Sequence, residues 1–369
     1  MLYPILPVYL KTIGFSVVFI GILEGTAEAC AGLSKGYFGK ISDSRGKRMP
    51  FVRWGYIMSA IAKPLMGMAI LPLWIFFART LDRFGKGIRT GARDALLSDE
   101  ASPTTKGSVF GFHRALDTFG AVLGPAIGLI YLHYNPNAYR TLFFIAFIPG
   151  IFTIVLSFLI HDKMKNSELD SKSSIKSNVS PIIFLRDSPI AYKRLIIGLL
   201  IFALFNSSDV FLLLKVKECG ISDSAVIGVY IFYNLVYALF SLPLGTLADK
   251  IGFKNILLFG LILYAAVYFG MASVSNYHQF VLLFLLYGIY AAATEGISKA
   301  WISITIDRSQ TATAIGTFSG IQSICRLFAS SFTGLIWYNF GANYALLITA
   351  TIAIIVIVYL YFFTKNPNT

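Results

Sequence analysis

The chain has 369 residues, 56% of them hydrophobic and 15% aromatic, with only 13% charged. Soluble domains carry about 25% charged residues, so this composition excludes one and indicates an integral membrane protein. A formal net charge of +13 would point to nucleic acid in a soluble protein. In a membrane protein it is a signal of sidedness, because cytoplasmic loops collect Lys and Arg, and no nucleic-acid partner is expected.

The first apolar stretch, Met1 to Leu10, is half a span long and closes at Lys11-Thr12-Ile13-Gly14 as a helix exit would. The first helix is therefore expected to be truncated, either because the true start lies upstream or because this form is defective. The opening Met1-Leu2-Tyr3-Pro4 lacks a basic n-region and a small-residue cleavage site, so a signal peptide is not expected. A helix needs about 20 mostly apolar residues to cross the hydrocarbon core. Eleven stretches meet that length, at 17–39, 51–71, 73–97, 107–133, 139–161, 193–214, 223–247, 253–274, 278–303, 310–338 and 341–363. Counting the half-span as the first, these are spans 2 to 12. The one long polar segment, rich in Ser and Lys and containing Pro181 and Pro189, falls in their middle. The expected architecture is an all-α membrane protein with an N-terminal bundle at 1–161, a cytoplasmic linker at 162–192 and a C-terminal bundle at 193–369. Bases gather at alternate loops by about four to one, with Lys11, Arg140, Lys215 and Lys217 as the minority. That bias puts the linker and the C-terminus in the cytoplasm.

Cys30, Cys219 and Cys325 are isolated on apolar segments, without the spacing of a disulfide framework or a zinc site. They read as packing residues, and no metal or other cofactor is expected. The chain has no His-Glu-x-x-His, no Gly-x-Ser-x-Gly and no phosphate-binding Gly-Lys-Ser/Thr loop, so no catalytic residues are assigned and an enzyme is not expected.

One polar motif occurs twice. Gly39-Lys40-Ile41-Ser42-Asp43-Ser44-Arg45-Gly46-Lys47-Arg48 joins spans 2 and 3, and Gly245-Thr246-Leu247-Ala248-Asp249-Lys250-Ile251-Gly252-Phe253-Lys254 joins spans 8 and 9. The glycines allow close approach and a sharp turn, the aspartate can accept from a helix N-terminus, and the bases favour anionic headgroups. The motif resembles the cytoplasmic signature of the major facilitator superfamily, which occupies the same two loops, although Ser44 stands where that family usually has a base. The resemblance covers nearly the whole chain and implies two six-helix bundles related by a pseudo-twofold axis. It also implies a conformational latch built from Gly39, Asp43, Gly46, Arg48, Gly245, Asp249 and Gly252.

In span 5, Gly120, Gly124, Pro125 and Gly128 resemble the glycine-proline motif of the family's exporters and antiporters. Small residues four apart permit close packing, and a proline permits a bend. The run Asp82 to Asp94 resembles a subgroup of bacterial permeases of the family, with Ala92 in place of an expected proline; that match supplies no substrate.

Ionisable residues inside spans are costly and mark function or fixed pairing. In span 4, Arg79, Arg83, Lys86 and Arg93 form a cationic stripe along one helix face. The resemblance implies that spans 1, 4, 7 and 10 line a central cavity and that Arg79 matches an arginine linked to proton coupling. Glu24 and Glu28 lie one turn apart, so one is a candidate proton carrier unless fixed arginines hold both. Asp209, behind the polar run Asn206-Ser207-Ser208, and Glu295, with Lys299 a turn later, are the C-half candidates for substrate or proton contact. Arg114 and Asp117 read as a structural pair, Arg326 with Gln322 as an interhelical clasp, and His113 as structural.

The expected function is secondary active transport by alternating access, as proton-coupled efflux of a small molecule. Alternatives are an uptake permease for an organic anion, or an inactive, truncated transporter. Expected partners are the small-molecule substrate, protons and the lipid bilayer. The protein is expected to be a monomer in a bacterial inner membrane.

Overall fold

In the computed structural model, the structure describes residues 6, 9–10, 13–15, 17–68, 70–136, 138–162 and 181–364. Most of the half-span at the start and most of the linker lie outside the described residues. Among the described residues there are only helices and turns. In chain order they are α1 (Val17–Arg45), α2 (Met49–Met68), α3 (Pro72–Glu100), α4 (Lys106–Tyr134), α5 (Tyr139–Ile145) and α6 (Phe147–Leu159). They continue with α7 (Pro181–Asp187), α8 (Ile190–Phe205), α9 (Val210–Glu218), α10 (Asp223–Ile251) and α11 (Phe253–Ser273). A 3₁₀ turn at Arg308–Gln310 separates α12 (Tyr277–Thr305) from α13 (Thr311–Phe340), and α14 (Ala342–Phe363) ends the series.

Seven stretches among the described residues are long and apolar enough to cross a membrane, so this is a multi-pass membrane protein. The other four expected spans are α1, α2, α3 and α13, helices of 29, 20, 29 and 30 residues. They fall short in composition, not in length. α1 and α3 carry most of the intramembrane charge, α2 carries Arg53 and Lys63, and α13 is rich in Thr, Ser and Gly.

Two expected spans are interrupted. Span 6 divides at Ala146 into α5 and α6. Pro149, in the first turn of α6, has no N–H for the carbonyl four residues back, and its ring crowds that carbonyl. Span 7 divides into α8 and α9 across the polar run at 206–209. Polar Asn and Ser side chains compete for backbone groups and favour such breaks.

The chain forms two compact units. The first comprises residues 1–96, 123–187 and 307–323, the second 97–122, 188–306 and 324–369. In the first unit α2 packs against α5 and α6. Leu6, Tyr9 and Leu10 are buried there with Leu23, Met66, Ile75, Ala78, Leu142 and Phe143. In the second unit α12 packs against α10 and α11, and α14 against α8 and α11.

Candidate functional site

The repeated loops build the same contact twice. In the first unit, Asp43 lies at the end of α1, and its Oδ2 accepts from the Thr313 N–H at 2.6 Å and the Thr313 hydroxyl at 2.7 Å, while Oδ1 accepts from the Ala312 N–H at 3.4 Å. These donors belong to the first turn of α13, whose N–H groups have no partner within the helix and carry its positive dipole end. Arg48 Nη1 donates to Asp43 Oδ1 at 2.7 Å, and Arg48 Nη2 donates to the Arg308 carbonyl at 3.1 Å. In the second unit, Asp249 Oδ1 accepts from the Gly107 N–H at 2.6 Å, and Oδ2 from the Ser108 N–H at 2.7 Å and the Ser108 hydroxyl at 2.5 Å. Here the donors are the first turn of α4. Gly46 and Gly252 sit at φ of 62° and 98°, which a residue with a Cβ rarely adopts, and so let the chain turn out of α1 and α10.

The first glycine of each motif serves the same contact through its size. A Cβ on Gly39 would run into the Ala312 carbonyl, and one on Gly245 into the Gly107 carbonyl. The docked aspartate therefore lies at a crossing where one backbone touches another. By contrast, a Cβ on Gly120 meets nothing within 4 Å. Close packing on α4 falls instead at Gly107 and Gly111, against Gly245 and Ser241. α4 remains helical through Pro125, and Gly128 is buried.

The charged residues of α3 are interlocked within the first unit. Arg79 grips Glu24 with two bonds, Nε to Oε1 at 2.7 Å and Nη2 to Oε2 at 2.8 Å, and touches Asp82 at 3.4 Å. Lys63 of α2 pairs with Asp82 at 2.6 Å. Arg83 lies 3.6 Å from Glu24 and 3.5 Å from Glu28. Both glutamates thus have arginine partners, the condition under which two nearby carboxylates can remain ionised. They are not held equally: the Glu28 side chain is 42% exposed against 30% for Glu24, and it has no two-bonded grip. Lower on α3, Arg89 donates to the Ser59 hydroxyl at 2.8 Å and lies over the Tyr56 ring, and Arg93 pairs with the adjacent, buried Asp94 at 3.0 Å.

In the second unit the two candidate acids have different hydrogen-bond partners. Glu295 of α12 lies between Arg326 at 2.7 Å and Arg114 at 3.4 Å. Arg114 also reaches Asp117 at 3.3 Å and donates to the Tyr237 hydroxyl. Lys299 is half-buried one turn further along α12. Arg326, expected as a clasp with Gln322, has Glu295 as its partner, and Arg114 joins the same group; a carboxylate one span away is not visible in local spacing. Asp209 sits in another setting. Its Oδ2 accepts from the Tyr233 hydroxyl at 2.8 Å and its Oδ1 from the Tyr287 hydroxyl at 2.7 Å. Nearby, the Tyr264 hydroxyl donates to Asn206 Oδ1 and Asn206 Nδ2 donates to the Tyr290 hydroxyl, both at 3.2 Å. Sequence reasoning missed these tyrosines. The three-residue spacing of Tyr287 and Tyr290 on α12 was the available signal.

A multi-pass helical protein with charges paired inside its spans, and with the same acid-capped loop in both halves, has the build of a membrane transporter. The family model of the Major Facilitator Superfamily matches residues 1–233 and 212–369, and the chain belongs to that superfamily. It is 35% identical over 343 residues to an uncharacterized MFS-type transporter of Methanocaldococcus jannaschii, covering 91% of this chain and 84% of that one. It is 23% identical over 316 residues to a multi-drug resistance efflux pump PmrA homolog of Lactococcus lactis, covering 83% and 76%. The fold is that of the Escherichia coli fucose:proton symporter FucP, with a TM-score of 0.78 at 11% identity over 99% of this chain and 95% of that one.

Proposed function

We propose that the protein exports a small, anionic or amphipathic molecule in exchange for protons, by alternating access in a bacterial inner membrane. Two bundles, 1–161 and 193–369, joined by a cytoplasmic linker at 162–192 and working as a monomer, are part of this reading. Export is favoured by the name of the Lactococcus lactis relative and by that of the Staphylococcus aureus quinolone resistance protein NorA, 24% identical over 193 residues that make up 50% of this chain and 49% of that one.

The observation that carries proton coupling is the unequal hold on two acids one turn apart. Glu24 is locked by a two-bonded Arg79, whereas Glu28 has no two-bonded partner: it meets Arg83 through one contact at 3.5 Å, feels Lys86 and Lys35 from further off, and is the more exposed. A proton arriving at Glu28 removes one of the two carboxylate charges that Arg83 faces, the other being Glu24 at 3.6 Å, and so strengthens the pull of Arg83 on an anionic group. Cargo and proton would then compete through one guanidinium. Asp43 and Asp249 act in this scheme as cytoplasmic latches, holding the starts of α13 and α4 until the cycle turns.

The test is a substrate screen on reconstituted protein under an imposed pH gradient, with Glu28→Gln beside the parent. For each cargo found, parent flux should follow the gradient while the variant exchanges cargo without responding to it. Gradient-independent flux of every cargo by the parent overturns the reading.

A further inference from the structure

The break in span 7 gathers oxygen atoms; Arg326, which feels the Asp209 charge, is held by Glu295 at 2.7 Å and forms no ion pair with Asp209. α8 ends at Phe205, and the amides that would continue its ladder turn away: the Ser207 N–H goes to the Phe205 carbonyl at 3.1 Å and the Ser208 N–H to the Ser330 hydroxyl at 3.2 Å. The Ala203 and Leu204 carbonyls thereby lose their helical donors at the negative end of the α8 dipole. Four residues on lies Asp209, a carboxylate inside a span that accepts hydrogen bonds from two phenols and has no Lys or Arg among the described residues within ion-pair distance. Two further oxygens in this region, Ser207 Oγ and Tyr268 Oη, are buried, at 4% and 0% residue exposure; they lie close to each other, and neither has a hydrogen bond of good geometry. Tyr268 is next to the phenols that hold Asp209 and Asn206, its ring 6.5 Å from Tyr287 and 4.2 Å from Tyr264.

We propose that this broken helix binds a sodium ion, with the Asp209 carboxylate, the Ser207 and Tyr268 hydroxyls and the freed α8 carbonyls as its oxygen donors. Hard cations take carboxylate, carbonyl and hydroxyl oxygens, and unwound membrane helices supply such carbonyls to coupling cations. A single negative charge surrounded by neutral oxygens suits a monovalent ion. Buried rings around the break, with Tyr233 at 6% exposure and Tyr287 at 2%, favour a compact ion over an organic cation. Tyr233 and Tyr287 act as positioning residues: each takes one lone pair of the carboxylate and fixes its orientation, leaving the other lone pairs for the ion.

This rests on the transporter reading and adds a second cation to it, in a different part of the chain from Glu28. The experiment uses the full chain in detergent, with thermal unfolding measured in NaCl, LiCl, KCl or choline chloride at constant ionic strength, without cargo or gradient. Binding to the folded state raises the unfolding midpoint by mass action. The midpoint should therefore rise saturably with Na⁺ and not with choline. Asp209→Asn should abolish that shift while unfolding remains cooperative. Should that variant fail to fold, Tyr287→Phe and Ser207→Ala serve instead, and each should weaken apparent Na⁺ affinity tenfold or more. Equal midpoints in Na⁺ and choline for the parent overturn the proposal. So does an undiminished Na⁺ shift in the variants, or a midpoint that follows pH but not Na⁺. Because no gradient is used, failure here leaves proton-driven export standing, and failure of proton-driven flux leaves the Na⁺ shift to be observed.

Discussion

Asp43 and Asp249 occupy equivalent motif positions and dock onto equivalent helix starts, but their surroundings differ chemically. Asp249 accepts three hydrogen bonds from the first turn of α4. Asp43 accepts from α13 and is also the counter-ion of Arg48, which is 7% exposed. Replacing Asp249 by Asn keeps one acceptor oxygen and removes a charge from a helix N-terminus, a loss of about 1 to 2 kcal/mol. Replacing Asp43 by Asn also leaves a buried guanidinium without its carboxylate, which costs about 3 to 5 kcal/mol. Thermal unfolding of the two variants should therefore show Asp43→Asn as the more damaging, and equal losses would mean that Arg48 contributes nothing to the contact. Glu295 allows a complementary prediction. Glu295→Gln leaves Arg326 and Arg114 facing an uncharged amide, so it should lower the unfolding midpoint, and adding Arg326→Gln should recover part of the loss by restoring charge balance. Additive losses in that double-mutant cycle would contradict the pairing.

Among the helices, backbone contact is concentrated where small residues recur four apart. Gly107 and Gly111 on α4 meet Gly245 and Ser241 on α10, and Gly316 and Gly320 on α13 meet Lys35, Gly36 and Gly32 on α1. Small residues let helices approach closely enough for van der Waals packing to hold them in lipid, where the hydrophobic effect does not draw one helix to another. Gly245→Ala should therefore force the α4–α10 crossing apart and reduce folded yield. Gly120→Ala, which meets open space, should be tolerated and can gain up to about 1 kcal/mol from helix propensity. Detergent-solubilised yield and unfolding midpoint of the two variants test this, and equal behaviour would remove the special status of the crossing. Gly120, Gly124, Pro125 and Gly128 stand out in the sequence by their resemblance to the glycine-proline motif of the family's exporters and antiporters. Spacing alone does not say which face of a helix has a neighbour, and Gly120 faces open space. The tyrosines around Asp209 were hidden for the same reason: they come from α10, α11 and α12, and only the fold brings three spans to one break.

For the whole molecule, helical class, the positions of most spans and the paired motif were legible, because apolar length and repeated polar loops are properties of the chain itself. The partners of the charges were not, since Glu24 meets Arg79 across 55 residues and Asp43 meets Thr313 across 270. Sidedness remains a matter of loop charge, and it makes a definite prediction. The turn between α3 and α4 contains Ser102, and the turn after α4 contains Asn135. α4 is a candidate membrane span of 29 residues, so these positions belong to opposite sides. On the charge of the linker and the repeated loops, Ser102 is expected on the cytoplasmic side. With Cys30, Cys219 and Cys325 replaced by Ala, a single cysteine at Ser102 in intact cells should react only with a permeant maleimide. One at Asn135 should also react with an impermeant maleimide. The reverse pattern would invert the protein in the membrane. It would place the Asp43 and Asp249 contacts on the outer face, and the export reading would then have to be replaced by one in which those contacts guard the opposite entrance.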